Sequence, residues 1–191
     1  MHVIIRAALT GALPFLLAAC ASDSQIGLQP LVCPMVGVLS DASSLRVYGE
    51  GAGRGDDDRA YDLEFMRAHL LECELKDGEM KAAIRFEARA RTGPAAVSDE
   101  YAYPYFVALL APDGEVLSKT VLNATAKFKS DGSEIFFAEE YDDIKFTVPE
   151  GADGLGYEIL IGFQLTREQM DFNRAQRAAP KADSVPDVVT Q

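Results

Sequence analysis

The stretch that decides the fold is Met80–Arg91, MKAAIRFEARAR, because its apolar and charged residues alternate. Met, Ala, Ile and Phe occupy the even positions from 80 to 90, and every odd position except Ala83 carries a charge. A period of two places successive side chains on opposite faces of a strand, whereas a helix requires a period near 3.6. We therefore predict a half-buried antiparallel strand with one face on a core and the other in water.

Turn signals surround this strand. Asp77-Gly78 predicts a β-hairpin whose first strand lies within Ala60–Leu75. That segment also has apolar residues at the helical positions 63, 66, 70 and 73, but a hairpin needs a strand in front of its turn, so a strand is favoured. Pro112-Asp113-Gly114 predicts a second hairpin, and Ser130–Ser133 predicts a third turn.

Most of the remaining chain has the composition of strands. The further predicted strands are Tyr105–Leu110, Glu115–Val121, Asn123–Lys129, Glu134–Phe137, Ile144–Val148 and Tyr157–Phe163. One helix is predicted over Arg167–Arg174, because Thr166 and Gln169 have the spacing of a capping box. The pattern predicts a mainly β protein, an immunoglobulin-like antiparallel β-sandwich with one short C-terminal helix, and leaves a small barrel as the alternative.

Length and charge limit what this chain can be. Its 191 residues suit one domain, and 30 acidic against 18 basic residues give a formal charge of −12. A surface with this much negative charge repels nucleic acid, and we therefore expect no nucleic-acid partner. The predicted organisation is a signal peptide at 1–19, a flexible leader at 20–30, a β-sandwich domain at 31–174 and a disordered tail at 175–191.

The N-terminus has the layout of a secretory signal. Arg6 precedes the 13-residue apolar run Ala7–Ala19, which is too short to span a bilayer. The run ends in Leu17-Ala18-Ala19-Cys20, which resembles the lipobox of bacterial lipoproteins. The resemblance implies a thioether-linked diacylglycerol on Cys20, cleavage just before it, and a third acyl chain on the new amino group. Ala21 stands where Asp favours retention in the inner membrane, so the resemblance implies delivery to the outer membrane.

Two further cysteines fall in the predicted domain. Cys33 and Cys73 would meet an oxidising compartment after export, so we predict a disulfide between them. The alternative is a copper site that adds Met35 and His69, because thiolate and thioether ligands suit Cu(I).

Few residues of this chain are candidates for catalysis. Removal of the signal peptide takes His2 away and leaves His69 as the one imidazole, and no Gly-x-Ser-x-Gly sequence surrounds any serine. We therefore expect no enzyme, no catalytic residue and no cofactor.

Three tyrosines are the first candidates for a binding surface. Tyr101, Tyr103 and Tyr105 share one face of an extended segment, and Pro104 between them suits an edge strand. They form either part of the core or an exposed aromatic strip that binds a partner.

The folded part also has a family resemblance. Gly162–Thr166, Asn173-Arg174, Cys33-Pro34 and the sequence Arg-Thr-Gly-Pro at 91–94 resemble uncharacterised lipoproteins of alphaproteobacteria. The resemblance implies no activity and supplies no catalytic residue. Together with the lipobox it leads to one expectation: an outer-membrane lipoprotein facing the periplasm, which binds or scaffolds another envelope protein. Periplasmic copper handling is the alternative.

Overall fold

Strands dominate the part of the chain described by the computed structural model, which is residues 32–178 without 52 and 130. The elements are β1 Met35–Val38, β2 Ser44–Tyr48, β3 Arg59–Lys76, β4 Glu79–Thr92, β5 Glu100–Leu110, β6 Val116–Lys127, β7 Ile135–Thr147, β8 Glu158–Phe163 and α1 Arg167–Ala178. This confirms the mainly β class with one short C-terminal helix. The predicted signal peptide, the leader with Cys20, and the tail beyond residue 178 lie outside the described residues.

The strands form two four-stranded sheets. Sheet I has the order β1-β8-β5-β6, and sheet II has the order β2-β3-β4-β7. Only β1 and β8 pair in parallel, and the other strand pairs are antiparallel. The sandwich is confirmed, but its strand order differs from the A-B-E-D over C-F-G order of immunoglobulin domains. The immunoglobulin-like connectivity is therefore not confirmed.

The segment Ala60–Leu75 belongs to strand β3, as the hairpin argument predicts. Asp77 and Gly78 have φ angles of 52° and 79°, the two positive values that a type I′ turn requires. Register shifts leave Met66 and Leu71 as extra residues in β3. Each extra residue changes which parity faces the core, and this explains why a strand carries apolar residues at helical spacing.

Two predictions of strand boundaries are wrong. Glu115–Val121 and Asn123–Lys129 were expected as separate strands, but both fall largely within the continuous strand β6. The segments Glu134–Phe137 and Ile144–Val148 were expected as separate strands, but both fall largely within the continuous strand β7. The register of β7 against β4 shifts between Ala82 and Ile84, and this shift accommodates the acidic residues that lie between the two predicted strands. Because β7 is an edge strand, Glu140, Asp142 and Asp143 stay in water without interrupting the ladder.

Aromatic side chains fill the space between the sheets. The rings of Phe65 on β3 and Phe163 on β8 stack with centroids 4.1 Å apart. Phe86 on β4 lies 5.3 Å from Tyr105 on β5. Both pairs cross from one sheet to the other, so the core is the interface between the inner faces of the sandwich.

Candidate binding groove

A concave feature lined by both basic and acidic side chains lies outside the core. It is a groove between helix α1 and the outer face of sheet II, with a volume of about 390 Å³. Its charged lining consists of Arg46, Arg89, Arg91, Arg177, Asp62, Glu64 and Glu134. We call this feature the arginine groove.

The strand register builds the floor of the arginine groove. Arg46 on β2, Asp62 on β3 and Arg91 on β4 lie directly beside one another, although they are far apart in sequence. Asp62 Oδ1 accepts a hydrogen bond of 2.9 Å from Nε of Arg46, and its Oδ2 accepts one of 2.9 Å from Nε of Arg91. Nε of Arg59 lies 3.0 Å from the same Oδ2. One carboxylate thus orients two guanidinium groups by hydrogen bonds and lies within ion-pair distance of a third.

A second row of charges follows two residues further along the strands. Glu64 Oε2 accepts hydrogen bonds of 2.9 and 2.5 Å from Nε and Nη2 of Arg89. Nη1 of Arg89 lies 3.3 Å from Glu134. The hydrogen bonds that Arg89 donates to Glu64 raise the pKa of Arg89 more than burial lowers it, and this guanidinium is cationic at any physiological pH.

Helix α1 forms the opposite wall. Its start is the predicted capping box: Thr166 N donates to Gln169 Oε1 at 2.9 Å, and Gln169 N donates to Thr166 Oγ1 at 3.2 Å. The buried Asn173 donates from Nδ2 to the carbonyl oxygens of Asp41 and Ser44, at 3.1 and 2.8 Å. These bonds hold the helix against the start of β2.

Contacts of the helix side chains complete the wall. Phe172 receives the guanidinium of Arg46 over its ring at 5.6 Å. Arg174 and Arg177 both form ion pairs with Asp41. The aromatic ring therefore supplies an apolar contact beside the charged floor.

The charge balance of the arginine groove is opposite to that of the whole protein. Four arginines face three carboxylates in its lining, whereas the chain carries a net charge of −12. Arg46 and Arg91 contact Asp62 through Nε, and the terminal nitrogens of Arg91 have no acceptor among the described residues. Guanidinium groups fixed in this way can donate paired hydrogen bonds to a carboxylate.

The predicted tyrosine strip is not an exposed surface. Tyr103 and Tyr105 are 0% and 5% exposed and pack inside the sandwich. Burial raises the pKa of Tyr103, and the nearby Glu139, whose Oε1 lies 3.3 Å from the tyrosine hydroxyl, raises it further. The hydroxyl of Tyr101 accepts hydrogen bonds from the backbone N–H groups of Val97 and Ser98. The core alternative is therefore the right one, and the strip as a partner surface is wrong, because sheet II covers this face.

The predicted disulfide is present in the structure. Cys33 and Cys73 are bonded, with their Cα atoms 6.1 Å apart and a separation of 40 positions in sequence. His69 is exposed on β3, opposite Arg85 of β4 in the strand register, while Met35 is 61% exposed on β1. The proposed copper ligands do not converge, since both sulfur atoms are used in the disulfide. The described residues contain no group of three or more His, Cys, Asp and Glu side chains that could hold a metal ion.

Sequence reasoning missed the arginine groove. The available signal for the groove was the alternation in Met80–Arg91, which places Arg89 and Arg91 at odd positions on the solvent-exposed face. Nothing in the local sequence indicates that Arg46 and Asp62 lie next to them, because the register of three strands brings them together.

Comparison with protein-family models finds no match, and comparisons with curated proteins and with solved structures find none either. Among the described residues, no helix has both the length and the apolar character needed to cross a membrane.

Proposed function

We propose that this protein is a lipid-anchored component of the bacterial cell envelope, which acts by binding another envelope protein and performs no catalysis. The observation that carries this proposal is the sequence Leu17-Ala18-Ala19-Cys20 after the apolar run Ala7–Ala19, which resembles a lipobox. A thioether-linked lipid together with a further acyl chain holds a protein at a membrane almost irreversibly. The outer membrane, on its periplasmic side, is the proposed location.

The geometry of the domain supports binding at a distance from the anchor. Gly154 N donates a 2.7 Å hydrogen bond to the carbonyl oxygen of Val32, and Cys33 is bonded to Cys73, so the described chain starts at this end of the sandwich. Asp62 in the arginine groove lies roughly 30 Å from Cys73 along strand β3, because the two extra residues leave nine regular steps of about 3.3 Å each. The arginine groove therefore lies toward the end of β3 that is opposite to the disulfide.

The chemistry of the arginine groove supports an acidic protein segment as its ligand. Guanidinium groups that a carboxylate holds in place lose little conformational entropy when they bind a second carboxylate. Phe172 offers an apolar surface beside them. We infer that the partner inserts an extended segment with at least one Asp or Glu side chain.

The anchor is tested by the variant Cys20→Ser. We expect the wild-type chain to incorporate labelled fatty acid and to be processed, and the variant to accumulate in its unprocessed form without lipid, because the thiol is the acyl acceptor. Metabolic labelling and the shift in mass report both steps, and density fractionation reports the membrane. Equal labelling of both proteins, or wild-type protein mainly in the inner membrane, would contradict the anchor or its destination.

The groove is tested by replacing Arg46 and Arg91 with alanine together. We expect the double variant to bind its partner with about 10- to 100-fold lower affinity, since hydrogen bonds to charged groups contribute about 1.5–3 kcal/mol. The full lipidated chain is crosslinked in intact envelopes, and the crosslinked proteins are compared by quantitative mass spectrometry. Arg67→Ala is the matched control, because Arg67 is an exposed arginine of the same sheet that pairs with Glu87 outside the groove. Equal recovery of the same proteins by all three chains would refute a binding role for the groove.

A further inference from the structure

Strand β6 is an edge strand with an unusual exposure. It is the last strand of sheet I, so only one of its edges is hydrogen-bonded, to β5. Its first six residues are exposed, and so both faces of this half of the strand meet water. Val116, Leu117 and Val121 are 57%, 47% and 51% exposed there. An exposed apolar strand with a free edge is a template for pairing with another strand.

Strand β7, an edge strand of sheet II, is by contrast protected against pairing with another strand. Strand β7 places Glu139 on its inner side, where Tyr103 contacts it, and carries Glu140, Asp142 and Asp143 beside it. An inward-pointing charge and clustered charges are devices that keep an edge from pairing. Strand β6 has neither a proline nor an inward-facing charge between Val116 and Lys127. The exposed Lys119 and Lys127 are the only charged residues of β6, so this edge is less protected against pairing than that of β7.

The sequence of β6 suits antiparallel pairing with itself. Residues that lie opposite each other in an antiparallel pair point to the same face, so a symmetric pair must be centred on one residue. Centring on Val121 places it against Val121 of a second copy and Lys119 against Asn123. Centring on Lys119 or on Asn123 would place lysines opposite each other, at positions 119 and 119 or 119 and 127, which is unfavourable.

Charge at the two ends of β6 favours the same register. The hairpin before the strand is acidic, with Asp113 and Glu115, and the C-terminal end is basic, with Lys127 and Lys129. Antiparallel pairing brings the acidic end of each copy beside the basic end of the other, and the two-fold axis makes this contact twice. Lys127 is available, since its side chain is 82% exposed and its nearest acid, Glu100, lies 3.8 Å away.

From these observations we propose that the protein forms a homodimer in which the free edge of β6 pairs antiparallel with β6 of a second copy about a two-fold axis at Val121. The two copies of sheet I then form one continuous sheet. No residue of β6 lines the arginine groove, so both grooves stay accessible in the dimer. The dimer depends neither on the lipid anchor nor on the groove.

The first test replaces Val121 with lysine in the full chain. Two lysines would then face each other at the axis, and we expect the concentration for half-dimerisation to rise by about tenfold or more. Sedimentation in density-matched detergent measures the oligomeric state. Met66→Lys is the matched control, because Met66 is 49% exposed on β3, a strand of the other sheet. The proposal is supported if the wild type and the control are dimers while the Val121→Lys chain is a monomer. A monomeric wild type, or a dimeric Val121→Lys chain, overturns it.

The second test separates the register from a general loss of stability. Lys127→Glu places an acidic side chain against the acidic hairpin of the other copy and should weaken the dimer, whereas adding Glu115→Lys should restore it. The unchanged melting temperature of each exposed variant shows that the domain is folded. Failure of the double variant to recover the dimer would overturn the pairing about Val121.

Discussion

Replacing Cys33 and Cys73 with serine is expected to lower the free energy of unfolding by about 4 kcal/mol. The disulfide closes a loop of 40 residues, and restricting such a loop in the unfolded chain stabilises the folded state by about that amount. A typical domain is stable by only about 5–15 kcal/mol, so the loss is large. For a domain of this size, we expect the melting temperature to fall by roughly 8–16 °C.

The bond also attaches one end of the domain to the rest. Cys33 precedes the four-residue strand β1, which pairs only with β8, and Cys73 lies on the long strand β3 of the other sheet. Without the bond we expect amide exchange to accelerate first in Met35–Val38, because a short edge strand at a chain end opens locally at low cost. Urea titrations of the oxidised wild type, the reduced wild type and the double serine variant measure the change. Identical midpoints for all three would exclude a stabilising role for the disulfide.

Replacing Phe163 with alanine is expected to destabilise the domain by about 3–5 kcal/mol. Phe163 is 1% exposed, and its ring stacks on Phe65 with an angle of 10° between the ring planes. The substitution removes this contact between the sheets and leaves a cavity, and both effects cost free energy.

A surface phenylalanine provides the control for this substitution. Phe136 lies on β7 and is 70% exposed, so Phe136→Ala should change stability by no more than about 0.5 kcal/mol. Phe163→Leu should fall between the two, since leucine refills part of the space. Denaturant midpoints at constant slope give the comparison. Similar losses for the two alanine variants would show that the Phe65–Phe163 stack does not hold the sheets together.

Several local features were predictable from the sequence because neighbouring residues alone produce them. The positive φ angles at Asp77 and Gly78 follow from the residue types that a two-residue hairpin loop requires. The capping box joins Thr166 to Gln169 across three residues. The alternation in Met80–Arg91 separates a wet from a dry face without reference to any other strand.

Features that depend on distant parts of the chain were not predictable in the same way. The period of two places Tyr101, Tyr103 and Tyr105 on one face, but only the presence of sheet II decides that this face is buried. Likewise, the strand order departs from that of an immunoglobulin domain because pairing partners are chosen by the packing of the whole sandwich.

The sequence by itself therefore determined the wet and dry faces of strand β4, the turn at Asp77-Gly78 and the capping box of α1, since each depends on residues within a few positions of one another. The tertiary structure alone decided the arginine groove and the edges of the sandwich. Arg46, Asp62 and Arg91 become neighbours only through the register of β2, β3 and β4. Register minimises the free energy of all paired strands together, and no local segment of the sequence contains that information.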